Sequence, residues 1–154
     1  MERTKNVFDK IGSRIPGYKG YTNRENRRNC DKLLRVNISE KISNCEKTLS
    51  DRMNSEIKKN NLDVLIEIEG YRQRLSTLSD KIKYAPYGES SFFSNTQIKE
   101  NELQEIYVLD LDLSTILQNS ETHLKDLSFN EIDDFINSIE TSIIKRNNFI
   151  KECK

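Results

Sequence analysis

The stretch that decides the fold is residues 62–83, which read LDVLIEIEGYRQRLSTLSDKIK. Its apolar side chains alternate at spacings of four and three, at Val64, Ile68, Tyr71, Leu75, Leu78 and Ile82. This spacing is typical of a coiled-coil seam, where one narrow stripe of a helix packs against another helix. The segment therefore predicts a helix that needs a helical neighbour, either in the same chain or in another.

The segments around this helix show the same periodicity. Residues 22–60 carry an apolar stripe from Cys30 to Ile57, spaced mostly by four, with a break predicted at Asn60 and Asn61. Further helices are predicted over 96–118 and 128–151, and a short amphipathic helix over 4–15. Thr22–Glu25 and Ser128–Glu131 both fit a capping box, in which a hydroxyl and a glutamate satisfy the first amides of a helix. We expect an all-α, elongated antiparallel bundle of about four long helices plus the short N-terminal one.

Composition supports one folded domain over residues 1–154. Leu, Ile, Val and Phe make up about 27% of the chain, above the level below which chains stay disordered. Within this domain we distinguish a basic N-terminal segment 1–21, the four long helices and an aromatic loop at 84–95. Two prolines and five glycines are few for the many turns that an all-β fold needs. Three cysteines without close pairing, and no long apolar run, predict a cytoplasmic protein with reduced thiols.

Charge is neutral overall but polarised along the chain. Residues 1–35 carry a net charge of +6 and the remainder carries −6. A polarised chain can bind an anionic surface, assemble head to tail, or fold its two ends together. The last of these requires no partner.

The sequence contains no recognisable catalytic, cofactor or metal site. His123 is the single histidine, and its polar surroundings favour a surface position. No nucleotide-binding glycine loop and no metal-ligand spacing are present. Asp110 and Asp112 are two residues apart on a predicted helix, so their carboxylates point in different directions. We therefore expect a protein that is not an enzyme and holds no cofactor.

Aromatic residues cluster at two elbows that a helical hairpin brings to the same end of the bundle. If helices 22–60 and 62–83 pair, the start of one lies beside the end of the other. These residues then form either a plug that seals the bundle end or, with nearby arginines, a partner-binding patch. The candidates are Tyr18, Tyr21, Arg24, Arg27, Arg28, Arg35, Tyr84, Tyr87, Phe92 and Phe93.

Three kinds of partner fit such a patch. The heptad seam favours a protein partner or self-association, which predicts an adaptor or assembly protein. The alternative is peripheral binding to an anionic membrane surface, such as the inner membrane, with residues 4–15 as an interfacial helix. Nucleic acid, bound through phosphate contacts and base stacking, ranks third because the domain is not basic overall. No small-molecule substrate is evident.

Two stretches together carry a family resemblance. Residues 16–35 follow the pattern PGYxGY…RExRRxxDKLLR, and residues 84–93 follow YAPYG…FF. Their order and spacing resemble a family of uncharacterised bacterial helical proteins, over most of the chain to about residue 115. The resemblance implies a bacterial helical protein and implies no catalytic residue or cofactor.

Overall fold

The computed structural model describes residues 2–85, 91–94 and 97–153. Within these ranges the chain is helical and contains no strand. Its helices are α1 Glu2–Arg14, α2 Arg27–Lys58, α3 Leu62–Lys83, α4 Glu100–Ile116, α5 Ser120–His123 and α6 Phe129–Glu152. Single 3-10 turns precede α2 at Arg24–Asn26 and α4 at Ser91–Phe93. The all-α bundle expected from the sequence is confirmed.

Helices α2 and α3 form an antiparallel hairpin, and they contact each other more extensively than any other pair of helices in the described residues. Asn60 makes the turn with a left-handed backbone, φ 57°, a conformation that asparagine adopts more readily than most residues. The heptad seam of α3 faces inward: Ile68, Leu75, Leu78 and Ile82 are buried. The seam therefore finds its helical neighbours within the chain.

Polar contacts fix how the helices sit on one another. A hydroxyl cluster ties α2 to α3, with Ser39 Oγ 2.8 Å from Ser79 Oγ. Arg74 on α3 forms an ion pair of 2.5 Å with Asp133 on α6. Arg52 donates to the carbonyls of Leu124 (3.0 Å) and Leu127 (2.8 Å), and so holds the end of α5 against α2.

Helix α1 packs along α4. Its apolar face is covered, since Ile11 and Ile15 are buried and Phe8 packs against the core. At its last turn Arg14 donates to the Thr115 hydroxyl at 3.0 Å. An interfacial helix over 4–15 needs this apolar face for lipid, and here the protein itself occupies it.

The helix starts differ from the sequence expectations in two places. The expected capping box on Thr22–Glu25 is wrong: Asn23 caps instead, its side-chain oxygen accepting from the Glu25 amide at 3.0 Å. A 3-10 turn therefore comes first, and α2 begins at Arg27. Helix α4 begins at Glu100, four residues after the expected start.

Other helix boundaries agree with the sequence. The capping box at Ser128 forms: its hydroxyl accepts from the Glu131 amide at 3.3 Å, and the Glu131 carboxylate accepts from the Ser128 amide at 2.8 Å. Helix α3 spans the 22 residues expected for it. The sequence missed α5, because a single turn has no periodicity to detect.

Candidate functional site

The two glycine-tyrosine units of the N-terminal elbow carry the tyrosines into the protein interior. Gly17 and Gly20 both have φ of +83°, a conformation that side-chain-bearing residues rarely adopt. A Cβ on Gly20 would lie 2.5 Å from the Tyr107 hydroxyl and 2.7 Å from the Phe8 ring. Only glycine fits there, and the turn it makes directs Tyr18 and Tyr21 toward α4.

Both tyrosines meet Asp110, a fully buried carboxylate on α4. The Tyr18 and Tyr21 hydroxyls donate to one Asp110 oxygen at 2.8 and 2.6 Å. Arg146 on α6 donates through Nε to the other oxygen at 2.6 Å. Asp110 therefore accepts three hydrogen bonds, two from the N-terminal elbow and one from α6.

The network continues through Arg146 into α2. Its Nη2 donates to Asp31 at 2.7 Å and to the Tyr21 hydroxyl at 3.0 Å. The other Asp31 oxygen lies 2.8 Å from Arg35 Nε, and Arg35 donates to the Ala85 carbonyl at 2.5 Å. We call these residues the ionic core: Tyr18, Tyr21, Asp31, Arg35, Asp110 and Arg146.

Charge is balanced within the ionic core, because two carboxylates face two guanidinium groups. This balance matters, since an unpaired buried charge is strongly destabilising. Burial alone would lower the pKa of Arg146, but the charges of Asp110 and Asp31 raise it well above its ordinary value. Burial raises the pKa of Asp110, and Arg146 and the two tyrosine hydroxyls oppose that shift.

The tyrosines of the ionic core are held neutral. Burial, followed by the charge of Asp110, raises the pKa of Tyr18 and of Tyr21 far above the ordinary value of 10.0. Burial likewise raises the pKa of the adjacent Cys30 thiol to about 12. These hydroxyls and this thiol are therefore unsuited to act as bases or nucleophiles, and the core has the chemistry of an internal clamp.

A cage of aromatic rings closes around the clamp. Tyr107 stacks on Tyr21 with ring centroids 5.8 Å apart, and its hydroxyl accepts from the Tyr21 amide at 3.0 Å. Phe92 meets the Tyr21 ring at 5.2 Å, and Phe93 meets Phe92 at 5.0 Å. The N-terminal elbow and the loop after α3 thus come together at one bundle end.

The structure places the predicted partner-binding residues in two groups. Six of them point inward and are at most 8% exposed: Tyr18, Tyr21, Arg27, Arg35, Phe92 and Phe93. Arg24 and Arg28 are exposed, and Tyr84 is 71% exposed. Tyr87 lies outside the described residues. The buried six form a structural plug in this fold, so an exposed patch at this end consists of other side chains.

Sequence reasoning missed Asp31, Asp110 and Arg146, although a signal was present. Asp110 lies four residues after Ile106 and three before Leu113, on the buried stripe of α4. Arg146 occupies the same kind of position on α6, between Ile143 and Ile150. A charged residue in the middle of a buried stripe points to a partner of opposite charge elsewhere in the core.

Two searches for other site types give no candidate. Over the described ranges, no group of three or more His, Cys, Asp and Glu is arranged to hold a metal ion. In the same ranges, every helix is too short or too polar to cross a membrane.

Comparison of the chain with protein-family models, with curated proteins and with solved structures finds no match. The family resemblance of the two motif stretches therefore stays a prediction.

Proposed function

We propose that this protein is a non-enzymatic helical adaptor that docks an acidic segment of a protein partner on the basic end of its bundle. The observation that carries the proposal is a column of exposed cations along the start of α2. Arg28 and Lys32 are four residues apart on α2, Arg24 precedes them in the 3-10 turn, and all three are exposed. Such spacing brings side chains onto one face of a helix.

The buried plug supports this surface from beneath. Arg28 lies with its guanidinium carbon 5.8 Å from the centre of the Phe93 ring, close enough for a cation–π contact. A guanidinium that stacks on an anchored ring loses less freedom when it binds a carboxylate, so its binding is stronger. The aromatic residues thus contribute to docking indirectly, by positioning a cation.

The positive charge at this bundle end also acts on the buried side chain of Arg27. Burial, and then the positive charge of Arg24, lower the pKa of Arg27. Arg27 donates to the carbonyls of Tyr21 and Ser94, at 3.0 and 3.3 Å. A negatively charged partner over Arg24 would offset this second contribution.

A groove lies beside the cation column. It has a volume of about 630 Å³, and its lining includes Thr22, Arg27, Ile98, Lys99 and Glu100. Its mixed apolar and charged lining suits an extended peptide that carries both acidic and apolar side chains.

The test measures binding of a fluorescein-labelled acidic peptide by anisotropy. The first variant replaces Arg24, Arg28 and Lys32 with glutamine. The matched control removes three exposed cations at the opposite end of the hairpin, Lys47, Lys58 and Lys59, so both variants have the same net charge. We expect the first variant to bind at least about tenfold more weakly and the control to bind within about twofold of the wild type.

Competition distinguishes the other ligand classes. The labelled peptide is displaced in turn by unlabelled peptide, by single-stranded DNA of equal charge and by anionic vesicles. Stronger displacement by DNA or by vesicles would replace the proposal with nucleic-acid or membrane binding. Equal loss of binding in the two variants would show a non-specific charge effect and refute the docking surface.

A further inference from the structure

The outer face of α3 gathers the most exposed large apolar side chains of the described residues. Leu62 is 71% exposed, Ile66 is 75% exposed, and Tyr84 at the end of the helix is 71% exposed. The heptad seam of α3 is already covered within the chain, so this stripe is a second, separate face of the same helix. Large apolar side chains that line up on one face mark an interaction surface.

Between these side chains the stripe is uncharged at three successive positions, two of which carry small residues. Gly70, Gln73 and Thr77 continue the spacing of Leu62 and Ile66, and all are exposed. A glycine inside a helix is destabilising relative to alanine. Nothing in the chain lies within 4 Å of a Cβ added at Gly70, so packing within the chain does not require glycine here. Close approach of another helix gives the residue a role.

The charges beside the stripe identify that helix. Asp63, Glu67 and Lys81 are exposed and lie on the same edge of the stripe, acidic near the start of α3 and basic near its end. A two-fold axis pairs two copies of one surface, so in an antiparallel pair the same edges meet. Lys81 of one copy then lies beside Glu67 and Asp63 of the other. A parallel pair would bring opposite edges of the two helices together, so these charges would not meet.

One register pairs the two apolar ends of the stripe with each other. When two α3 helices run antiparallel with Gln73 facing its own copy, Leu62 falls opposite Tyr84 of the second copy. In the same register Gly70 falls near Thr77 of the second copy, where small side chains let the helices approach. We propose that this protein forms a two-fold homodimer through the outer face of α3, with Gln73 at the axis.

The first experiment measures the molar mass of the wild-type protein by sedimentation equilibrium over a wide concentration range. We expect a concentration-dependent dimer, and Ile66→Asp should raise its dissociation constant more than about tenfold. Ile57→Asp is the control, since Ile57 is 49% exposed on α2 of the same hairpin. It should leave the dimer intact. A wild-type monomer at every concentration, or a dimer unaffected by Ile66→Asp, would overturn the proposal.

A charge exchange tests the pairing itself. Glu67→Lys and Lys81→Glu should each weaken the dimer by about threefold to tenfold, because each change affects two symmetric pairs. The double variant should restore most of the affinity, whereas loss of structure would not be rescued in this way. A double variant that dimerises no better than the single variants would refute the antiparallel pairing.

Crosslinking tests the register. In a Cys153→Ser background, Gln73→Cys places two thiols beside the axis, and mild oxidation should give a covalent dimer. Asn54→Cys, exposed on α2, is the matched control and should remain monomeric on a reducing-agent-free gel. Equal crosslinking of both variants would show random collision and contradict the proposed axis. The dimer and the acidic-peptide site lie on different helices, so either can fail without the other.

Discussion

Asp110→Asn removes one charge from the ionic core at nearly constant volume. In the wild type, Asp110 accepts from Arg146 Nε and from two tyrosine hydroxyls. An asparagine there turns a donor toward at least one of these donors and leaves two arginines facing the single carboxylate of Asp31. Because these groups are at most 6% exposed, solvent does not screen the excess charge.

The expected loss of stability is large. Removing one member of a buried ion pair costs about 3–5 kcal/mol, because the remaining charge stays buried without compensation. Asp112→Asn is the matched control, since Asp112 is exposed on the same helix. It should change the free energy of unfolding by no more than about 0.5 kcal/mol.

The assay is urea denaturation followed by circular dichroism, with the midpoints compared at equal m-values. A double variant adds Arg146→Met, which removes the opposite charge and leaves the Asp31–Arg35 pair in place. It should be more stable than the sum of the two single changes predicts, since the core is again neutral. A free energy of unfolding for Asp110→Asn within about 1 kcal/mol of that for Asp112→Asn would contradict this expectation.

Three further outcomes follow from the same geometry. Tyr18 and Tyr21 have raised pKa values in the fold, so their contribution to stability is intact below pH 10 and is lost as pH rises above it. The slope should be about −2.7 kcal/mol per pH unit for the two groups. The loss begins earlier because of the two thiols, since burial raises the pKa of Cys30 to about 12 and that of Cys45 to about 11. The tyrosinate absorbance of Tyr18 and Tyr21 should therefore appear together with loss of helix, and gradual ionisation of these two tyrosines in a fully helical protein would contradict this. Gly20→Ala should destabilise the protein by at least about 1–2 kcal/mol, because it combines a left-handed backbone with a close contact, whereas Gly12→Ala, in open space on α1, should stabilise it by about 0.5–1 kcal/mol in thermal melts. Tyr18→Phe should cost about 1.5–3 kcal/mol in urea denaturation, as expected for a hydrogen bond to a charged group; a change below about 0.5 kcal/mol would show that this bond contributes little.

The local periodicity of apolar residues predicted the helices, because the apolar stripe of each helix lies within one continuous stretch of sequence. The α3 seam and the Ser128 capping box both involve residues close in sequence, and the structure contains both. The same rule of spacing also brought the two aromatic elbows to one end, since a hairpin leaves no other arrangement.

The ionic core was beyond this kind of reasoning. Asp31, Asp110 and Arg146 are 36 to 115 positions apart, and nothing local links them. Their pairing depends on which faces of α2, α4 and α6 meet in space. The aromatic elbows posed a related problem: residue type is compatible with a binding patch and with a plug, and only burial distinguishes them.

Arg146 donates to Tyr21 and Asp31, which precede it by 125 and 115 residues. During synthesis, which proceeds from the N-terminus, the elbow, α2 and α4 are complete before the residue that joins them has been added. Until then Asp110 and Asp31 are both made but lack this shared cation. The clamp therefore forms only after the C-terminal helix has been synthesised. Stalled or shortened nascent chains that lack this helix should be cleaved by proteases more readily than the full chain.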